Sequence, residues 1–176
     1  MKQKTKPISK LVILVVALLS SCSSCKKTDP PVSFNPGYHF YCKVDGVVFN
    51  PEYETGIGTE TIRTKLLFGD SVLSISADKL LENVRFSIWT GNTIQIGTHS
   101  LFPSLNKINI GIYDKNSTDL IELTTDSTHT GYINITQLDK TNKLVAGDFE
   151  FDAYNATTND TVHITEGKFN LYYKLN

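Results

Sequence analysis

Asn83-Val84-Arg85-Phe86-Ser87-Ile88-Trp89-Thr90 alternates Val84, Phe86 and Ile88 with Arg85, Ser87 and Trp89. A period of two puts the first set on one face of a strand and the second on the other. The stretch therefore reads as a strand with one buried and one wetted face, and Trp89 falls on the wetted face. The pattern continues in both directions. Upstream, Tyr38–Val44 and residues 47–50 flank Asp45-Gly46, a strong hairpin signal because both residues tolerate positive φ. Residues 61–68 and 71–77 flank Gly69-Asp70 in the same way. Downstream, residues 93–98 carry Ile94 and Ile96 on one face, and residues 106–114 carry Ile108, Ile110 and Ile112 on one face. Residues 119–125 read as a short strand with Leu120 or Ile121 inward, and residues 131–138 carry Ile133 and Ile135. Leu144–Asn155 and residues 160–175 read as two long strands, the second bent near Gly167. Only residues 77–83 could hold a helical turn.

No helical segment of 10–15 residues separates these runs, which excludes a parallel sheet with crossover helices. β-branched and aromatic residues dominate, and Met occurs once. The expectation is an all-β fold, a single antiparallel β-sandwich or partly open β-barrel of about ten strands. The chain has 176 residues, room for one ordinary domain. Hydrophobic content of 40% and charged content of 20% exclude a disordered chain.

The amino terminus carries an address. Residues 1–10 are basic and polar, and residues 11–19 are an unbroken apolar run. These are the first two regions of a secretory signal, and the run is far short of the roughly 20 residues that span a bilayer. Leu19-Ser20-Ser21-Cys22 follows and resembles the bacterial lipoprotein box. That resemblance implies cleavage before Cys22, a diacylglycerol on its sulfur and acylation of the new amino terminus, so that acyl chains hold the protein on a membrane. Cys25 is the rival acylation site, further from the apolar run. The expected organisation is a signal peptide at 1–21, a polar, Pro-rich tether at 22–37 and an all-β domain at 38–176. Removing 1–21 takes away four of the 17 basic residues and leaves 13 against 18 acidic, a net charge of −5. A mildly acidic product is a poor nucleic-acid ligand.

Three stretches together resemble the uncharacterised small lipoproteins of Bacteroidota cell envelopes. They are Tyr41-Cys42-Lys43-Val44-Asp45-Gly46-Val47-Val48-Phe49, then Gly131-Tyr132-Ile133-Asn134-Ile135-Thr136 with Gly147-Asp148-Phe149-Glu150-Phe151-Asp152-Ala153, and Val162-His163-Ile164-Thr165-Glu166-Gly167-Lys168-Phe169. Residues 55–125 match nothing in that pattern. The resemblance implies an all-β fold and an envelope location, and carries over no functional residue.

Motifs for chemistry are few. The serine-hydrolase elbow, the zincin helix, the P-loop and the EF-hand loop are absent. His39, His99, His129 and His163 are spread singly, so no metal, cofactor or catalytic group is expected. Asp148, Glu150 and Asp152 share one face of one strand, spaced as for a glycosidase pair or a Ca²⁺ site; the plainer reading is a wetted face with cross-strand Lys partners. Trp89 and Tyr113, with other tyrosines, are candidates for a glycan or ligand platform. Cys42 shares a face with Phe40 and Val44 and reads as a small core residue, with a disulfide to Cys25 as the alternative. Ser71, Ser127 and Thr161 each follow an Asp, and resemble acceptor sites of Bacteroidota periplasmic O-glycosylation.

The function expected is that of a lipid-anchored bacterial envelope protein, at the outer membrane, that binds or supports a partner without catalysing a reaction. The basic flank at 23–29 favours the periplasmic face and leaves the side open. Partners to expect are the membrane, through the acyl chains, and a glycan, small ligand or envelope protein. Alternatives are a lipocalin-like carrier of a small hydrophobic ligand, and a polysaccharide-acting hydrolase or glycan-binding accessory protein.

Overall fold

The alternation around Phe86 becomes a strand whose inward side chains meet those of a second layer. A computed structural model describes residues 38–52, 55–56, 59–104, 108–116 and 121–175. The signal peptide, the tether, Cys22 and Cys25 lie outside the described residues, as do Asn106, Asp119 and Leu120. The strands are β1 (Tyr38–Val44), β2 (Val47–Phe49), β3 (Thr55–Gly56), β4 (Thr59–Glu60), β5 (Ile62–Leu67), β6 (Val72–Lys79), β7 (Glu82–Trp89) and β8 (Gly97–Ser100). They continue with β9 (Ile110–Asp114), β10 (Glu122–Thr124), β11 (Gly131–Asp139), β12 (Leu144–Asn155), β13 (Asp160–Tyr172) and β14 (Lys174–Leu175). No helix occurs among the described residues.

Twelve strands form one open sheet in the order β14-β5-β6-β7-β9-β10-β12-β13-β1-β2. All pairings are antiparallel except β14 with β5. The sheet forks along one edge of β12. Residues 144–151 of that strand pair with β11, which also carries β8, while Tyr154 pairs with Thr124 of β10. The fork lets one continuous sheet fold over into two layers, an architecture that fits the expected sandwich or partly open barrel.

The layers meet through phenylalanines. The Phe86 ring of β7 lies 4.8 Å from Phe149 of β12 and 5.9 Å from Phe169 of β13, centroid to centroid. Phe40 of β1 lies 5.2 Å from Phe149. Each such contact adds about 0.5–1.5 kcal/mol beyond the area it buries. All four rings are buried, and Leu73, Ile75, Ile88, Ile133 and Ile135 fill the space around them.

The Asp45-Gly46 hairpin forms as the sequence predicts, with both residues at positive φ (48° and 79°). Four expectations are corrected. Residues 77–83 make no helical turn: β6 runs on to Lys79, pairs it with Glu82 and turns at Leu80-Leu81, with Leu80 at φ 57°. Residues 93–98 are irregular apart from the start of β8, and only Ile94 is buried there while Ile96 is exposed. In β10 the inward residue is Leu123, and Ile121 is exposed ahead of the strand. In β9 the phase is reversed: Gly111 and Tyr113 point inward, and Ile110 and Ile112 sit outside beside Ser87 and Arg85. The cause is a neighbour's volume. A Cβ on Gly111 would lie 2.8 Å from the Phe151 ring, so that ring already occupies the space an inward isoleucine would need.

Candidate functional site

Because β7 keeps its alternation to the last residue, Trp89 emerges on the outer face, 40% exposed. Its backbone N–H donates to Asn109 Oδ1 at 2.7 Å, and Asn109 Nδ2 donates to the Ser100 carbonyl at 3.1 Å. Asn109 is buried, so one side chain of the β8–β9 connection ties the end of β7 to the end of β8.

The turn between β5 and β6 forms the opposite wall. Phe68 sits at φ 52° and is 78% exposed, followed by Gly69 and Asp70 at φ 64° and 67°. The Ser71 hydroxyl donates to the Phe68 carbonyl at 2.8 Å, and the Ser71 N–H donates to the Leu67 carbonyl at 3.1 Å. Asp70 accepts the Ile94 N–H on its carbonyl at 2.7 Å, and its carboxylate meets Lys140 Nζ at 3.0 Å. The turn is thus held from three sides while Phe68 points outward.

Between these walls lies a cleft of about 640 Å³, floored by Val72 and Ser87 and bounded by Phe68, Trp89 and Ile108. Ile108 is 66% exposed, a direct result of the reversed phase of β9. Trp89 also borders a recess of about 380 Å³ with Thr98, Ser100, Ser104, Asn109 and His99, together with Phe102. Trp89 is common to both. The cleft is lined mainly by apolar residues, and the recess is rich in hydroxyl and amide groups. Chemically, the arrangement can stack a flat apolar face against the indole while offering hydrogen bonds next to it.

The other sequence candidates lie elsewhere. Tyr113, expected to share a platform with Trp89, is instead buried at 3% exposure, and its hydroxyl donates to Glu82 Oε1 at 2.5 Å. Burial first, then the Glu82 carboxylate, pushes that hydroxyl well above its ordinary pKa. Ser71 is in the cleft wall. Ser127 is exposed in a turn where Asp126 accepts the N–H groups of His129 and Thr128 at 2.6 and 2.7 Å, bonds that hold the Asp126 carboxyl well below its usual range. Thr161 is exposed on β13, opposite Tyr154. The structure brings none of these three together.

The carboxylate stripe of β12 is dispersed among separate partners. Asp148 accepts from Asn134 Nδ2 at 3.0 Å, Asp152 meets His163 Nδ1 at 2.7 Å, and Glu150 lies 3.4 Å from the Glu166 N–H. Across the strand pair Asp148 stands opposite Lys168, a lysine of the kind the plainer reading expects, whereas Asp152 stands opposite His163 and Glu150 meets a backbone N–H. No group of three or more His, Cys, Asp or Glu that could hold a metal occurs among the described residues. Cys42 is a fully buried free thiol, and burial raises its pKa far above that of an exposed thiol.

Phe68, Val72 and Ile108 complete the cleft and were not legible as site residues. Phe68 is the last apolar residue before a Gly-Asp turn, a position where the ring could equally have faced the core.

Fold and cleft define a class: a two-layered all-β domain with a bipartite surface cleft at one end. The family model described as Domain of unknown function (DUF6252) matches residues 60–171, and the chain belongs to that family. The match spans β5 through most of β13, so it includes both walls of the cleft and leaves out β1 and β2. No curated protein and no solved structure matches the chain.

Proposed function

We propose that this chain is a lipid-anchored bacterial envelope protein of the outer membrane that acts by binding, and that its binding site is the cleft around Trp89. The observation that carries the reading is the indole shared between an apolar cleft and a polar recess. A ligand suited to it has an apolar face and neighbouring hydroxyls, as a sugar ring or an alkyl glycoside does. The filled interior supports a surface site over a lumen, since Phe40, Phe86, Phe149 and Phe169 occupy the space between the layers. Binding is favoured over hydrolysis because each carboxylate of the β12 stripe is engaged with a different neighbour. The anchor rests on Leu19-Ser20-Ser21-Cys22. The envelope lipoproteins of Bacteroidota are the relatives that the opening and closing hairpins suggest.

Two measurements test this. A Cys22→Ala chain, once exported, should leave the membrane fraction; continued partitioning there would remove the anchor. Residues 34–176 form a compact unit holding every core residue from Phe40 to Tyr173, and so can be studied alone. Trp89 is the single tryptophan, so its emission reports on the cleft. Short oligosaccharides and alkyl glycosides should shift it saturably, whereas a flat response across the panel would remove the cleft as the site.

A further inference from the structure

Strand direction decides which loops share an end of the domain. β5 and β7 finish, and β6 and β9 begin, at the end that carries the cleft. Antiparallel pairing continues from β9 through β10, β12 and β13 to β1, so β1 also begins there. The contacts agree: Asp70 of the β5–β6 turn meets Lys140 of the β11–β12 turn, and the Tyr173 N–H donates to the Lys143 carbonyl. Tyr38 pairs with Leu171, so the polypeptide joins the sheet at the cleft's end, while Asp45-Gly46 and Leu80-Leu81 turn at the other.

This end is apolar at its surface. Phe68, Ile108, Trp89 and Phe102 are all exposed. Phe68 stands at the apex of a turn whose left-handed backbone a glycine would adopt more readily, and the hydrogen bonds of Ser71 and Asp70 hold it there. The bordering turns set Lys140 and Lys143 against Asp70 and Asp139, and Lys140 meets Asp70 directly.

We infer that this end is a membrane seat: Phe68, Trp89 and Ile108 lie in the headgroup region of the same bilayer that holds the acyl chains on Cys22. The inference rests on the proposed anchor and names the lipid surface as what the apolar part of the cleft contacts. Fifteen residues, 23–37, separate Cys22 from Tyr38 and reach at most roughly 50 Å, so the surface is always within range. Tethering makes the contact intramolecular, and a patch too weak to bind vesicles alone then suffices. Aromatic rings with a polar edge favour the interface over either water or hydrocarbon. The seat rests on its apolar residues, so it needs no anionic lipid and depends little on salt.

The full acylated chain, reconstituted on phosphatidylcholine vesicles with brominated acyl chains, tests this through quenching of Trp89. The expected result is flotation with the vesicles, strong quenching by bromine and protection from aqueous acrylamide, unchanged at high salt. Phe68→Gly with Ile108→Ser should cut the quenching several-fold while the chain still floats and its Tm stays level, since both side chains are outside the core. Flotation with Trp89 unquenched and open to acrylamide would overturn the seat and leave the anchor standing. Failure to float would overturn both.

Discussion

β7 and β9 are neighbours in one sheet, β7 and the stretch from Ile108 through β9 each carry three large apolar residues at alternate positions, and they resolve in opposite ways. In β7 the large residues Val84, Phe86 and Ile88 go inside and are completely covered. In β9 and the residue pair before it the isoleucines stay outside, and a glycine and a tyrosine take the inner positions. Alternation determines the period of a strand but not its phase. The phase is set by the volume available on the inner side, and opposite Gly111 that volume belongs to Phe151. The same reversal leaves Ile108 exposed beside Trp89, so a packing decision in the core builds one wall of the surface cleft.

The largest break in this comparison comes from the strand that keeps its phase. Phe86→Ala removes the ring that touches Phe149, Phe169 and Phe40, and should cost about 3–5 kcal/mol in urea unfolding. A loss below 1 kcal/mol would mean that the layers are not joined through this cluster. Gly111→Val forces methyl groups against Phe151 and should cost about 1–3 kcal/mol. Adding Phe151→Ala should return part of that loss, a coupling that a double-mutant cycle reads directly. Ile108→Ser, the third member of the apparent stripe, should change stability by no more than about 0.5 kcal/mol, because its side chain is outside the core. A loss like that of Phe86→Ala would restore the phase that the sequence suggests.

The smallest effect is one of pH. Asp152 beside His163 raises the imidazole pKa, first through their hydrogen bond and then through charge. A raised folded-state pKa means that the pair's stabilisation is complete below the unfolded value of about 6.5 and is lost as pH rises through the higher folded value. Tm measured from pH 5 to 9 should therefore fall slightly more for the native chain than for His163→Asn. Both groups are largely exposed, so the difference should shrink further in high salt. Curves of equal slope would show the pair to be energetically silent.

Strand identity was readable from sequence wherever apolar residues alternate between turn residues, as in β1, β7, β11, β12 and β13. The Asp45-Gly46 hairpin was readable from two residues because positive φ restricts what can stand there. Residues 77–83 were ambiguous because Leu80-Leu81 is a run of good helix formers, and nothing local indicates that Leu80 adopts a left-handed turn. The site was half legible. Trp89 was identifiable because an outward tryptophan on an alternating strand is readable in one dimension. Tyr113 was misassigned for the reason that β9 was misphased, and Phe68 depends on a turn whose shape is fixed by Ile94 and Lys140, distant in sequence.

The place where the chain joins the sheet also has a mechanical meaning. Tyr38 leads directly into β1, whose register pairs six residues with β13 along its length. A load applied between Tyr38 and the far end of the domain acts along the strand axis, so those hydrogen bonds are strained together and not one after another. An unzipping load would meet them singly and part them at low force. A domain held by its amino terminus and tugged from its opposite end would therefore yield late, as a shear lock does, and β13, paired along its length with β12, would spread the force into the Phe40–Phe149–Phe169 core.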